Sequence, residues 1–151
     1  MTRLTKVGAL IAVVLLVAAT IGYLMMPGPK PDKLVVTKIS NNLYAPDAPM
    51  FSKTITNPNA VQLVYGDLQA LTKVHLTSGV QDCPPEEGIA YRLDFYSGSR
   101  LILSAEYGPT GCFDVQLSNG VERYDEGTKF DNDLAQALGV TSQQFVLGTS
   151  P

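Results

Sequence analysis

The chain has 151 residues, of which 45% are hydrophobic and 17% are charged, and its formal net charge at pH 7 is -3. Once an apolar N-terminal segment is set aside, about 120 residues remain, which suits one domain with one core. Nucleic-acid binding requires Lys and Arg that neutralise phosphates, so 11 such residues against 14 Asp and Glu argue against a nucleic-acid partner.

The N-terminus combines Arg3 and Lys6 with an uncharged apolar run that continues to Met26. At about 1.5 Å of rise per residue, roughly 20 helical residues cross the roughly 30 Å core of a bilayer. Residues 1–26 are therefore predicted to be a transmembrane signal-anchor, and their leading positive charges favour a single-pass cell-membrane protein with an extracytoplasmic C-terminal domain. A signal peptide cleaved after Ala19, which would release a secreted domain, is the alternative.

Residues 27–32 form a Pro/Gly linker, Pro27-Gly28-Pro29-Lys30-Pro31-Asp32. Its prolines cannot continue the helix and favour an extended, semi-rigid spacer. The linker is therefore predicted to lift a domain of residues 33–151 off the membrane.

Strands and one helix follow the linker. Alternating β-branched residues predict a first strand from Lys33 to about Asn41, and Ser52 to Thr56 form a short second strand. Asn57-Pro58 is typical of a helix start, because Asn caps free N–H groups and Pro fits the first turn. Apolar residues at helical spacing then predict an amphipathic helix over 58–71 that packs on the sheet.

Two hairpins follow. The segments 89–96 and 101–107 alternate apolar and polar residues around a Ser-Gly-Ser turn, which predicts an antiparallel pair. The second hairpin turns at Asn119-Gly120. A two-residue turn sets Val115 opposite Tyr124 on the inner face and Gln116 opposite Arg123 on the outer face.

The last predicted element is a helix that Asp131 caps. Leu134 and Leu138 share one of its faces, and Gly139 ends it. The whole pattern predicts an α+β domain with a mostly antiparallel sheet of about five to six strands, two helices and one disulfide.

Cys83 and Cys112 are the only cysteines. An even count in an oxidising compartment predicts one structural disulfide. A redox pair or a metal site is the alternative, but the chain has no C-x-x-C spacing, and His75 is its only histidine.

The order Cys83-Pro84, Gly88, Tyr91 to Tyr96, Cys112 and Gly120 resembles small uncharacterised extracytoplasmic domains of Gram-positive and related bacteria. These domains share the pattern Cys, Gly, Tyr-x-Leu-x-Phe, Cys, and they often follow a membrane anchor or a lipid signal. The resemblance covers roughly residues 60 to 140. It implies a protein of the cell envelope and no particular activity.

No catalytic, cofactor or metal site is expected. His75 has no neighbouring nucleophile signature and is interpreted as an ordinary surface or strand histidine. Two acidic groups could bind calcium, but neither has EF-hand spacing, and solvated loop charge is the favoured interpretation. These groups are Asp82, Glu86 and Glu87, and Asp125, Glu126, Asp131 and Asp133.

Alternation places Arg92, Asp94 and Tyr96 together on one face of the central hairpin. Helices on both faces of the sheet are the favoured arrangement; if this face is instead open, these residues are candidates for binding an envelope protein. The sequence thus favours a membrane-tethered, non-catalytic binding or structural domain. An envelope hydrolase that uses carboxylates such as Asp94 with Glu106, or a calcium-dependent binding domain, is the alternative.

Overall fold

The structure is a computed structural model that describes residues 28–40, 50–73, 88–110, 114–124 and 128–148. Within these ranges no helix has the length and apolar character needed to cross a membrane. The predicted span 1–26, Cys83 and Cys112 lie outside them, so the anchor and the disulfide stay predictions.

The described residues form one antiparallel sheet and three helices. The elements in chain order are β1 (Lys33–Ser40), β2 (Ser52–Ile55), α1 (Pro58–Ala70), β3 (Thr72–Lys73), β4 (Ala90–Ser97), β5 (Arg100–Tyr107), β6 (Asp114–Leu117), β7 (Glu122–Tyr124), α2 (Thr128–Leu138) and α3 (Ser142–Val146). The strand order is β2-β1-β4-β5-β6-β7-β3. This confirms the predicted α+β class and antiparallel sheet. The described residues contain seven strands and three helices, more than predicted, because β3 and α3 are too short to show a clear period.

All three helices pack on the same face of the sheet, which we call the inner face. Aromatic contacts join each helix to it. The pairs, with the distance between ring centroids, are Tyr65 of α1 with Phe95 (5.2 Å), Phe130 of α2 with Tyr107 (5.1 Å) and Phe145 of α3 with Tyr91 (4.5 Å). The expectation of helices on both faces is therefore wrong for the described part of the chain.

The core lies between this face and the helices. Its central members are the alternate residues of the middle strands, which are buried. They are Leu34, Val36, Tyr91, Leu93, Phe95, Leu103, Ala105, Tyr107, Val115 and Leu117. Burial of one face of each strand explains the strict period of two in the sequence.

The register of the second hairpin differs from the prediction by one residue. The Leu117 N–H donates to the Val121 carbonyl, so three residues and not two form the turn, with Gly120 at a φ of 78°. Val115 consequently pairs with Arg123, and Gln116 pairs with Glu122. Because a shift of one residue reverses every side chain of a strand, Arg123 points into the inner face, and the predicted inner position of Tyr124 is wrong.

The sheet supplies one cation to the C-terminal end of each helix. None of the three helices has a basic residue in its own last turn. At the end of α1, Arg123 contacts the carbonyls of Gln69 (2.7 Å) and Leu71 (2.8 Å). Lys53 contacts the Leu138 carbonyl of α2 (2.6 Å), and Lys38 contacts the Gly148 carbonyl just after α3 (2.8 Å). The last carbonyls of a helix lack partners within the helix and carry partial negative charge, so these cations fix the helices on the sheet.

The helix ends agree with the sequence in two places and differ in one. The Asn57 side chain accepts from the N–H groups of Asn59 and Ala60, which confirms the predicted cap of α1. Gly139 follows α2 at a φ of 72°, as predicted. Asp131 does not cap α2, because the helix begins at Thr128 and places Asp131 inside its first turn.

Candidate functional site

The side of the sheet opposite the helices, which we call the outer face, carries the residues predicted to bind a partner. Arg92, Asp94 and Tyr96 alternate along β4 with the buried Tyr91, Leu93 and Phe95. Arg92 is exposed, whereas Asp94 and Tyr96 are half-buried by their neighbours on the sheet. Alternation thus brings the three predicted residues together on the outer face.

Each of these three residues contacts a side chain of a neighbouring strand. Arg92 forms an ion pair with Glu106 of β5 at 3.4 Å. The Ser104 hydroxyl donates to the Asp94 carboxylate at 2.5 Å. The third pair lies on the other side of β4, where the Lys33 ammonium is 4.4 Å from the centre of the Tyr96 ring. Three cross-strand pairs therefore cover the centre of the outer face with polar groups of both signs.

A shallow depression of about 280 Å³ adjoins these pairs. Ser104 and Glu106 of β5 line it together with Gln116 of β6 and Ser118 of the following turn. Gln116 is exposed and pairs with Glu106 across the strands. The depression extends the polar outer face from β4 towards β6.

The carboxylates of the hydrolase alternative lie on this face. Asp94 is the cross-strand partner of Ser104, and Glu106 lies two residues further along β5. Asp94 and Glu106 are therefore diagonal neighbours, whose Cα atoms lie about 7–8 Å apart. Each has its own partner, since Ser104 donates to Asp94 and Arg92 pairs with Glu106. Cross-strand contacts thus hold both groups in the polar surface.

The acidic residues considered for calcium binding do not come together where the structure describes them. Asp131 is buried and accepts a hydrogen bond from the Tyr107 hydroxyl. Asp133 lies two residues further along α2, is only partly buried and forms an ion pair with Lys129 at 2.8 Å. Lys129 also pairs with Asp67 of α1, which ties α1 to α2.

The other acidic residues of those two groups, at 82, 86, 87, 125 and 126, lie outside the described residues, as does His75. Among the residues that are described, no three His, Cys, Asp or Glu side chains are grouped so that they could hold a metal ion.

The Lys129 pair predicts a pH dependence of stability. The hydrogen bond from Lys129 lowers the pKa of Asp133, and the same bond raises the pKa of Lys129. A carboxyl whose pKa is lower in the folded state adds stability above its unfolded value near 4, and this is lost as the pH falls through the folded pKa. The lysine contribution is present below about pH 10.4 and is lost as the pH rises further.

We therefore expect Asp133→Asn to lose less stability than the natural protein between pH 6 and pH 2.5. Urea midpoints at the two pH values measure this difference. Lys129→Met is the matched variant, because it removes the same pair from the other side. An acid-induced loss of equal size in all three proteins would show that the pair does not contribute.

Comparison of the chain with protein-family models, with curated proteins and with solved structures finds no match. A proposal for the function therefore depends on the geometry of the described residues.

Proposed function

We propose that this chain is a membrane-tethered, extracytoplasmic binding domain of the bacterial cell envelope, without catalytic activity, and that its outer face contacts a partner protein. The observation that carries the proposal is the one-sided arrangement of the sheet. The described helices pack on the inner face, while Arg92 and Gln116 are exposed on the outer face.

The chemistry of the outer face suits a protein surface. Arg and Tyr are enriched at the centres of protein interfaces, because each combines apolar area with directional donors. Arg92 and Tyr96 lie four residues apart on the same face of the central strand β4, with Asp94 between them on that face, so their positions are preorganised. Because both signs of charge are present, the matching partner surface carries complementary charges of both signs, which favours specificity over general electrostatic attraction.

The tether is supported by the sequence. The apolar run that ends at Met26 has the length of a membrane span, and basic residues precede it. An extracytoplasmic domain on such a tether meets partners in the envelope.

Site-specific photocrosslinking of the full-length chain in its own membranes tests the proposal. A photoreactive amino acid at Gln116 reports on the outer face, and the same amino acid at Gln143 of α3 reports on the helical side. Both glutamines are exposed, so they form a matched pair. We expect one discrete crosslinked protein from position 116 and none from position 143.

Arg92→Glu sharpens this experiment. It reverses a charge on the outer face at an exposed position where an ion pair contributes little to folding. The new carboxylate lies opposite Glu106, so we expect a small decrease in the unfolding midpoint together with the loss of the crosslink from position 116. A crosslink that survives the charge reversal, or one that forms only from position 143, would contradict the proposal.

A further inference from the structure

Pro31 and Asp32, the last residues of the predicted linker, contact the domain, so this part of the linker is not a free spacer. Pro31 is buried. The Asp32 N–H donates to the Tyr96 carbonyl at 2.9 Å, and the Asp32 carboxylate accepts the Gly98 N–H at 3.0 Å. The linker is therefore bonded to the turn between β4 and β5.

The linker also lies close to α1. A cleft of about 340 Å³ separates residues 28–31 from Gln62 and Tyr65. Together with the bonds of Asp32, this arrangement sets the direction in which the chain leaves the domain.

We infer that the end of the domain formed by the linker and the β4–β5 turn rests on the membrane surface and binds anionic lipid headgroups. This end, which we call the linker end, comprises Lys30, Asp32, Lys33, Arg100 and Leu101. The inference rests on the proposed N-terminal anchor and goes beyond it, because an anchor alone does not specify how the domain is oriented.

Chain length brings the linker end close to the bilayer. The buried Pro31 is five positions beyond Met26, the end of the predicted span. A Pro-rich chain extends about 3.1 Å per residue, so Pro31 lies within about 15 Å of the end of the span. The headgroup layer occupies roughly 5–8 Å of this distance. The remaining gap of about 7–10 Å is comparable with the Debye length of about 8 Å at physiological ionic strength.

The charge of the linker end is opposite to that of the chain. Lys30 and Arg100 are exposed and Lys33 is half-buried, whereas Asp32 is the one carboxylate among them and accepts the Gly98 N–H. The whole chain has a net charge of -3. A cluster of cations at the point nearest the membrane is complementary to anionic headgroups.

An exposed leucine accompanies the cations. Leu101 is 48% exposed. It is the cross-strand partner of Tyr96, and Tyr96 is the cross-strand partner of Lys33, so Leu101 lies at the same end of the sheet as the start of β1. An apolar side chain beside basic residues is the combination that inserts into the interface between headgroups and acyl chains.

A single tryptophan tests the inference, because the natural chain contains none. Leu101→Trp reports on the linker end. Leu147→Trp is the matched control, since Leu147 is 44% exposed. Leu147 is next to Gly148, whose carbonyl accepts a hydrogen bond from Lys38. Lys38 is five residues beyond Lys33 on β1, which is about 16 Å along the strand, so Leu147 lies far from the linker end.

Each full-length variant is reconstituted into vesicles of phosphatidylcholine with or without phosphatidylglycerol, together with a phosphatidylcholine that carries a nitroxide quencher on its headgroup. We expect the emission of Leu101→Trp to be quenched and shifted to shorter wavelength, and more so with phosphatidylglycerol. The emission of Leu147→Trp is expected to remain unchanged. Arg100→Gln combined with Leu101→Trp should show a smaller effect of phosphatidylglycerol, because one of the three cations of the linker end is removed.

Flotation of the same vesicles separates this inference from the proposed function. Chains that float with the vesicles while both tryptophans remain unquenched would support the anchor and overturn the contact at the linker end. Equal quenching of both tryptophans would also overturn it, because the domain would then have no preferred orientation. Chains that do not float would contradict the anchor, and with it the inference.

Discussion

Replacing Arg123 by methionine is expected to lower the free energy of unfolding by about 2–3 kcal/mol, because hydrogen bonds from a charged donor contribute about 1.5–3 kcal/mol. Partly buried carbonyls left without donors add a further cost. The guanidinium is buried on the inner face and donates to the carbonyls of Gln69 and Leu71 at 2.7 and 2.8 Å. Methionine keeps the unbranched apolar stem but supplies no donor. Both carbonyls at the end of α1 would then lack their partner.

Arg92→Met is the control for this variant. Arg92 has the same chemistry, but its ion pair with Glu106 is 3.4 Å long and joins side chains that are 48% and 54% exposed. Exposed pairs of this kind contribute about 0.2–1 kcal/mol or nothing measurable. Urea unfolding followed by tyrosine fluorescence measures both variants.

Amide hydrogen exchange provides a second measurement on Arg123→Met. We expect faster exchange in the last turn of α1, because the cation that fixes this end is missing. If both arginine variants shift the midpoint equally, the contact of Arg123 with the helix end does not carry the expected energy.

The second large effect is expected from Phe145→Ala, which should destabilise the fold by about 3–5 kcal/mol, the range for removing a buried aromatic ring. Phe145 stacks on Tyr91 with ring centroids 4.5 Å apart and contacts Tyr107 at 6.3 Å. Its carbonyl also accepts the Tyr91 hydroxyl at 2.6 Å, and burial raises the pKa of this phenol. The residue therefore joins α3 to the two central strands.

Besides the Phe145 ring, the Lys38 ammonium contacts the end of α3 through the Gly148 carbonyl. α3 has five residues, and a helix of this length is not stable in isolation. Its N-terminus is stabilised by a capping box between Thr141 and Gln144. Loss of the Phe145 ring is thus expected to loosen the packing of α3 on the sheet.

Leu147→Ala is the control, because Leu147 also belongs to the α3 region but its side chain is 44% exposed, whereas Phe145 is buried. Surface changes of this kind stay within about 0.5 kcal/mol. Near-ultraviolet circular dichroism adds a specific signal, since Tyr91 and Tyr107 lose their stacked neighbour only in Phe145→Ala. A small shift in Phe145→Ala, equal to that of the control, would show that α3 is not anchored through this ring.

The helix starts and stops that the sequence predicted are local features. Asn57 caps α1, and Gly139 follows α2 with a positive φ, because both depend on the conformation of a few neighbouring residues. The helix α3 was missed because five residues are too few to show a clear period. The Thr141 and Gln144 pair of α3 is a capping-box signal that the sequence does contain.

The register of β7 shows where local reasoning fails. Asn119-Gly120 suits either a two-residue or a three-residue turn, and the choice reverses the direction of Arg123. With the three-residue turn, Arg123 points to the inner face, where the carbonyls at the end of α1 accept its hydrogen bonds. With a two-residue turn it would point to the outer face, away from these acceptors. The residues Asn119 and Gly120 do not decide the register by themselves. The observed register is the one in which Arg123 contacts the end of α1, more than 50 residues away in the sequence.

The sequence by itself determined which residues of the central hairpin share a face, because side chains of a strand alternate with a period of two. It thereby placed Arg92, Asp94 and Tyr96 together. Only the tertiary structure decided that this face is the outer one. Alternation describes the two faces of a sheet, but which of them the helices cover depends on long-range packing. Here aromatic residues of α1, α2 and α3 meet Phe95, Tyr107 and Tyr91 on the opposite side.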